Sequence, residues 1–314
     1  MHRIWSVVAL ILIVATIAVV ITNSIGPFPT PKELASEKSL MVAVVFPGIA
    51  DDVKQYSCDG YEIVEEVIPS GVDPHEAQLS PEKIRVIKDA DIVIIGGHTP
   101  ADIKSRNIAR GIIINITGIK GLTLKTIPIY NVTNVHFPIY DPQNYLLFME
   151  NLIKYKINVQ NSKCIDNTQC NYCINLYKSY IDTLHERINE LMAYKSCAAG
   201  IQSVVDLPPA QYAIEWLGLR VKIILSPSGE VSSQYIKPSL LRRAEEVLAN
   251  GGVAVVTIDG DGKPISKVGE WLEENSKRLN ASIIYVKSPF IKGTVTSKLT
   301  YIVGQIEAAN LCTH

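Results

Sequence analysis

The chain has 314 residues, a formal net charge of −1 at pH 7 and six cysteines. The near-zero net charge argues against a nucleic-acid-binding protein, because such proteins carry a strong basic surface. The cysteines fit an oxidising exterior, where disulfides persist.

An apolar run near the amino terminus predicts export. Residues 5–22 are almost all valine, isoleucine, leucine and alanine, enough for a helix to cross or nearly cross a bilayer. His2 and Arg3 precede the run, so the positive-inside rule places the amino terminus in the cytoplasm. No Ala-x-Ala cleavage site follows. We therefore favour a single uncleaved anchor at residues 1–24 over a cleaved signal segment, a tether at 25–39, and a cell-membrane protein whose bulk is extracytoplasmic.

From Met41 onward, short β-branched runs alternate with amphipathic stretches. The pattern predicts strands at 41–46, 61–68, 92–95, 112–116, 126–130, 221–225, 253–258 and 282–286. Helices are predicted at 49–56, 80–88, 100–110, 208–217, 238–250, 264–279 and 296–310. This alternation indicates an α/β fold with two lobes and mostly parallel, doubly wound sheets.

One longer amphipathic stretch, residues 172–194, predicts a helix that joins the two lobes. We place the first lobe at residues 40–158, a cysteine-containing segment and linking helix at 159–196, and the second lobe at 197–314.

The six cysteines leave two interpretations open. They are Cys58, Cys164, Cys170, Cys173, Cys197 and Cys312. Disulfides of unspecified connectivity are the default outside the cell. The alternative is a structural zinc site that combines the central cluster with Cys197 or His185. Asn115, Asn131 and Asn280 begin glycosylation motifs, which also arise by chance.

Two loops place a histidine where a metal ligand could be held still. His75 ends a turn restrained by Pro69, Gly71 and Pro74, and His136 lies shortly before a helix start at Asp141. A restrained imidazole suits metal coordination, because an ordered ligand loses less entropy when the ion binds.

These stretches resemble the cluster A-I solute-binding proteins of ABC importers, the zinc and manganese receptors. Ile68 to His75 matches the family's first-ligand motif, His136 to Pro142 resembles its second-ligand loop, and the likeness extends over residues 41–309. The resemblance implies two lobes joined by a long helix, with a divalent transition metal in the cleft between them. It also implies a receptor rather than an enzyme, a monomer, and an ABC importer permease as membrane partner.

The second lobe departs from this family. Leu207 occupies the position of the third ligand, and the late aspartate falls near Ser288 or Pro289. We expect Asp206 to replace the lost ligand, with a helix N-cap as its other role. Asp259 follows a strand and is a candidate fourth ligand, or else a turn residue.

Two further residues near the predicted site have supporting roles or are alternative ligands. His98 follows the strand at 92–95, and we interpret it as a packed residue beside the site. Asp73 fixes the turn before His75.

Nitrogen and oxygen donors of this kind accept zinc, manganese or iron(II), and the sequence does not decide between them. Two alternatives stay open. The losses at Leu207 and Ser288 favour a degenerate, metal-free receptor or a surface interaction module on the same scaffold. A secreted metallohydrolase would use the histidines with an open coordination position, but the sequence has no His-Glu-x-x-His motif and no Gly-x-Ser-x-Gly motif.

Overall fold

The computed structural model describes residues 39–163, 167–228 and 236–312. Within these ranges the strands are β1 Leu40–Val44, β2 Glu62–Glu66, β3 Ile92–Ile95, β4 Ile112–Asn115, β5 Thr126–Ile127, β6 Val132–Thr133, β7 Gln202–Val205, β8 Arg220–Ile224, β9 Val253–Ile258 and β10 Ile283–Lys287. The α-helices are α1 Ala50–Gln55, α2 Pro81–Asp89, α3 Pro100–Ile108, α4 Pro142–Lys163, α5 Asn167–Met192, α6 Pro208–Glu215, α7 Pro238–Ala249, α8 Lys267–Arg278 and α9 Val295–Ala308. Short 3-10 helices cover Ile116–Gly118 and Pro138–Tyr140.

Two four-stranded parallel sheets form the two lobes. The first has the order β2-β1-β3-β4 and the second β10-β9-β7-β8. Every residue of β3 and of β9 is buried. Continuous apolar strands are expected in parallel sheets, because crossover helices cover both faces. The predicted α/β fold with two parallel sheets is confirmed.

Helix starts follow the capping residues in the sequence. The side chain of Ser80 accepts a hydrogen bond from the main-chain N–H of Lys83 at the start of α2. Thr99 and Asp102 form a reciprocal capping box at the start of α3. Proline occupies the first turn of both helices, where its missing N–H costs nothing.

Two predicted details of the strands were wrong. The stretch predicted as a strand at 126–130 is a hairpin of two two-residue strands, because Ile129 and Asn131 adopt φ values of 73° and 52° and reverse the chain. Strand β7 was not predicted, because Gln202 and Ser203 are polar and leave no apolar run in its four residues.

The helix α5 is the predicted long helix, and it spans 26 residues. It begins at Asn167 rather than at residue 172, packs along α4, and also contacts α9. Helix α4 spans 22 residues, although the sequence analysis identified only its start. These two helices lead the chain from the first lobe into the second.

Two disulfides link the ends of this helical segment to the two lobes. Cys58 pairs with Cys173 on α5, and Cys197 pairs with Cys312 after α9. A zinc site that uses Cys173 or Cys197 is therefore wrong, because both sulfurs are already bonded. His185 lies 2.7 Å from the carboxylate of Glu150 instead.

Several predictions of the sequence analysis concern residues outside the described ranges. These are the anchor at 1–24, the tether up to residue 38, Cys164 and the side chain of Cys170. Among the helices that are described, none is both long and apolar enough to cross a membrane.

The two lobes share one apolar core and several polar contacts. The Asp52 carboxylate, buried in the first lobe, accepts hydrogen bonds from the Tyr145 hydroxyl and from the main-chain N–H of Val295 in the second lobe. The Lys298 ammonium group donates to the main-chain carbonyl groups of Gly48, Pro289 and Ile291. The lobes are therefore joined by specific buried bonds as well as by the helices.

Candidate metal centre

The loop after β2 presents His75. Its main-chain N–H donates to Oδ1 of Asp73 at 2.9 Å, which is the local turn bond predicted for an aspartate before a proline. Oδ2 of Asp73 is buried and has no hydrogen-bond partner among the described residues. The loop also contacts the second lobe, because the N–H of Gly71 donates to the carbonyl of Phe290.

The loop between β3 and α3 presents His98. The buried carboxylate of Asp102 accepts hydrogen bonds from the main-chain N–H groups of Gly96, Gly97, His98 and Thr99. These bonds fix the loop against the helix start. Gly97 has a φ of 113°, and a side chain there would collide with Asn115 and Thr117, so this position requires glycine.

The loop between β6 and α4 presents His136. Its main-chain N–H donates to Oδ1 of Asn134 at 3.0 Å, and its Nδ1 lies 3.3 Å from the same oxygen. On the other side of the ring, Nε2 lies 3.0 Å from the main-chain carbonyl oxygen of Ser228 in the second lobe. Both ring nitrogens of His136 therefore face hydrogen-bond acceptors.

The three histidines converge on one point. One ring nitrogen from each of His75, His98 and His136 lies within 4.8 Å of the corresponding nitrogens of the others. The ring centroids are 5.2 Å apart for His75 and His98, 5.7 Å for His75 and His136, and 4.8 Å for His98 and His136. Nδ1 of His98 is buried and has no hydrogen-bond partner in the described part of the chain. This spacing and this free nitrogen suit a metal ion, since imidazole nitrogens bind zinc at about 2.0–2.1 Å.

The electrostatic environment keeps two of these rings neutral. Burial lowers the pKa of His98 to about 4, with a smaller contribution from His75. Burial, followed by the neighbouring rings of His98 and His75, lowers the pKa of His136 to about 3. A neutral imidazole has a lone pair for a metal, whereas an imidazolium does not. The site is therefore ready for a cation near neutral pH.

The ligand role predicted for Asp206 conflicts with its surroundings. This carboxylate is completely buried and accepts hydrogen bonds from the N–H and the hydroxyl of Thr257 and from the N–H of Leu207. Burial raises its pKa to about 6, although these three donors oppose the shift. Asp206 joins the ends of β7 and β9 and is not among the residues that converge with His75. The residue before α6 is Leu207, so Asp206 is not the N-cap either.

The other predicted second-lobe positions also lie outside the cluster. Oδ1 of Asp259 accepts the main-chain N–H groups of Asp261 and Lys263, which is a turn role. Leu207 is buried, and the hydroxyl of Ser288 accepts the N–H of Phe290. Within the described residues, the group of side chains close enough to hold an ion comes entirely from the first lobe.

The structure places His98 in one cluster with His75 and His136, whereas the sequence analysis interprets it as a packed residue beside the site. A signal was present, because His98 follows the buried strand β3 at the edge of the sheet where parallel strands end. The sequence from Thr99 to Asp102 also fits a capping box that would hold the loop. Asn134 was missed, and only its place two residues before His136 points to it.

Comparisons with known proteins agree with this fold. The family model of ZnuA, described as zinc-uptake complex component A, periplasmic, matches residues 42–288, which is well over half of the chain. A comparison with curated proteins gives no match.

Solved structures of low sequence identity share the fold. The SBP FpvC from Pseudomonas aeruginosa with a bound Ni²⁺ ion has a TM-score of 0.65 at 16% identity, over 87% of this chain and 97% of that one. A manganese-bound mutant of a periplasmic metal binding protein from Candidatus Liberibacter asiaticus has a TM-score of 0.65 at 16% identity, over 86% and 100%. A zinc-bound deletion mutant of ZnuA has a TM-score of 0.63 at 14% identity, over 88% and 99%.

The family match extends from β1 to β10 and includes all three loops that carry the converging histidines. The resemblance to metal receptors seen in the sequence is confirmed. The chain belongs to the ZnuA family of periplasmic metal-binding proteins.

Proposed function

We propose that the protein is an extracytoplasmic receptor that captures one divalent transition metal ion through His75, His98 and His136. The observation that carries this proposal is the convergence of the three imidazoles, with ligand nitrogens within 4.8 Å of one another. The buried free nitrogen of His98 supports the fit, because a buried polar atom without a partner is costly. The ion is cargo, and the protein does no chemistry on it.

This donor set favours zinc over manganese and iron(II). Three neutral nitrogen donors bind zinc, nickel or copper more tightly than manganese, because affinity for such sites follows the Irving–Williams order. The related structures hold nickel, manganese and zinc, so the fold itself accepts several ions. Manganese and iron(II) are the weaker candidates for this chain.

The receptor would deliver its ion, as a monomer, to the permease of an ABC importer in the membrane. Membership of a family described as a zinc-uptake component supports this partner. The apolar run at residues 1–24 would keep the receptor at the extracytoplasmic face of the cell membrane, close to the permease.

Metal analysis of the purified protein tests the proposal. The protein is prepared without added metal, and bound ions are counted by elemental analysis. Thermal unfolding is then followed with zinc, nickel and manganese at equal concentrations. We expect one ion per chain and a larger stabilisation with zinc than with manganese, since the tighter ligand is at a higher multiple of its Kd. At about 100 times its Kd, a ligand stabilises the native state by about 2.7 kcal/mol.

Single substitutions identify the ligands. His75→Ala, His98→Ala and His136→Ala should each abolish the thermal response to zinc. His185→Ala is the matched control, because this histidine pairs with Glu150 on the surface of the long helices. A wild-type protein with no more metal than a variant lacking all three site histidines would refute the receptor and favour a metal-free module.

A further inference from the structure

Asn134 joins the metal centre to the second lobe. Its side chain is completely buried, and Nδ2 donates to the carbonyl of Pro208 and to Oε1 of Gln211, both at 2.9 Å. Its main-chain carbonyl accepts the hydroxyl of Tyr212. All three partners lie on α6, so this helix holds both the backbone and the side chain of Asn134.

These bonds determine which atom of Asn134 faces His136. Nδ2 has two hydrogens and uses both on α6, so the amide cannot flip without losing both bonds. The remaining atom, Oδ1, accepts the main-chain N–H of His136 and lies 3.3 Å from its Nδ1. Oδ1 of Asn134 is therefore a fixed hydrogen-bond acceptor beside Nδ1 of His136.

The opposite ring nitrogen of His136 has a competing acceptor. Nε2 lies 3.0 Å from the carbonyl oxygen of Ser228. A neutral imidazole has one N–H, so His136 cannot donate to Ser228 and Asn134 at the same time. The shorter contact places the proton on Nε2 in the ion-free ring.

We infer, on the basis of the metal-binding function proposed above, that Asn134 is a positioning residue for ion capture. Because Nδ1 faces Oδ1 of Asn134, the ion would bind the lone pair of Nε2, and this nitrogen would give up its proton and the bond to Ser228. Nδ1 takes up a proton in exchange through solvent, and Oδ1 of Asn134 accepts the new N–H. No net proton is released by His136 in this exchange.

The second lobe then acts on the ion without supplying a side-chain ligand. Leucine at position 207 cannot bind a metal, but α6 holds the acceptor that orients a first-lobe ligand. Such partners fix the tautomer and the ring orientation of a metal-binding histidine.

The experiment compares zinc affinity and the tautomer of His136. Zinc binding is measured by competition with a chelator for wild type, Asn134→Leu, Asn134→Asp and Gln211→Leu. Protein labelled with ¹⁵N-histidine reports the protonated ring nitrogen by NMR, with and without zinc. We expect the proton on Nε2 without zinc and on Nδ1 with zinc in the wild type.

The variants separate positioning from simple contact between lobes. Asn134→Leu should weaken zinc binding about 10- to 100-fold, the usual cost of losing such a partner. Asn134→Asp keeps an acceptor for Nδ1 but loses both bonds from Nδ2 to α6, so it should weaken zinc binding less than Asn134→Leu does. Gln211→Leu removes only one of these two bonds and leaves the acceptor beside His136, so it should also weaken zinc binding less than Asn134→Leu does.

Each outcome decides one question. A wild type that binds no zinc removes the proposed function, and this inference with it. Zinc binding with the His136 proton still on Nε2 overturns the inference alone, and this readout decides even where Asn134→Leu does not fold. A folded Asn134→Leu variant that binds zinc as tightly as wild type, or a Gln211→Leu variant equally weakened, also overturns it.

Discussion

Replacing Lys156 by methionine should destabilise the protein strongly, because it would leave a buried carboxylate unpaired. Lys156 on α4 lies 2.7 Å from Oε1 of Glu62 on β2, and both side chains are completely buried. The ammonium group also donates to the carbonyl of Tyr56 at 2.9 Å. The other oxygen of Glu62 accepts the hydroxyl of Tyr177 on α5. The pair therefore joins the first sheet to both long helices.

The size of the effect follows from the burial of the pair. Removing one partner of a buried ion pair costs about 3–5 kcal/mol, because the other charge stays uncompensated in a medium of low polarity. For a domain of roughly 150–250 residues, each kcal/mol lowers Tm by about 2–4 °C, so the loss should be on the order of 10 °C. Glu62→Gln together with Lys156→Met removes both charges and should recover much of the stability.

Urea denaturation followed by far-UV circular dichroism measures these free energies of unfolding. Wild type, the single variant and the double variant are compared under oxidising conditions, so that the neighbouring disulfide of Cys58 and Cys173 stays intact. A single variant within about 1 kcal/mol of wild type would refute the reasoning, since an uncompensated buried charge costs more. A double variant as unstable as the single variant would show that packing, and not charge, causes the loss.

Three further variants test other parts of the structure. Asp206→Asn should lower the free energy of unfolding by about 1–3 kcal/mol. The amide NH₂ group would face the N–H and hydroxyl groups of Thr257 and the N–H of Leu207, which are themselves donors. Calorimetry should find its zinc affinity unchanged, and a lost affinity would restore Asp206 as a ligand. Burial raises the pKa of Asp52 from 3.8 to about 7, so the folded protein holds a proton that the unfolded chain releases. This contribution to stability is complete below pH 3.8 and is lost as the pH rises to about 7, so thermal unfolding of Asp52→Asn should lack that decline. Cys197→Ala with Cys312→Ala should cost about 2–5 kcal/mol in denaturation without reductant and leave zinc binding intact, and an unchanged stability would contradict the structural role of this disulfide.

Much of the fold could be predicted from the sequence, because parallel strands and amphipathic helices leave strong periodic patterns. Long apolar runs such as Val253–Ile258 were identified directly. Strand β7 was not, because Gln202 and Ser203 interrupt its apolar run and its place depends on pairing with β8 and β9. The hairpin at Thr126–Thr133 depends on positive φ values at Ile129 and Asn131. The sequence does not indicate them, because neither isoleucine nor asparagine requires a positive φ.

The three histidines of the candidate metal centre could be found only in part from the sequence, because only two of them lie in locally restrained turns. His75 and His136 lie in turns that are restrained by prolines and helix caps. Such local restraint can be recognised in the sequence. The residues beside His98 in the sequence would be the same for a packing role and for a ligand role. Only the approach of the three loops in the folded chain distinguishes these two roles. Asp206 stands beside the lost ligand position in sequence, but strand pairing turns its carboxylate toward Thr257.

The two disulfides also bear on how the protein would survive outside the cell. Each closes its own stretch of chain, from Cys58 to Cys173 and from Cys197 to Cys312, and these stretches do not overlap. A protease that cuts one peptide bond inside either stretch would leave both fragments covalently attached. The nicked receptor would run as one species on a gel without reductant and as two after reduction. A cut inside either stretch would therefore not release a lobe, and the three histidines, which all lie between Cys58 and Cys173, would stay covalently linked.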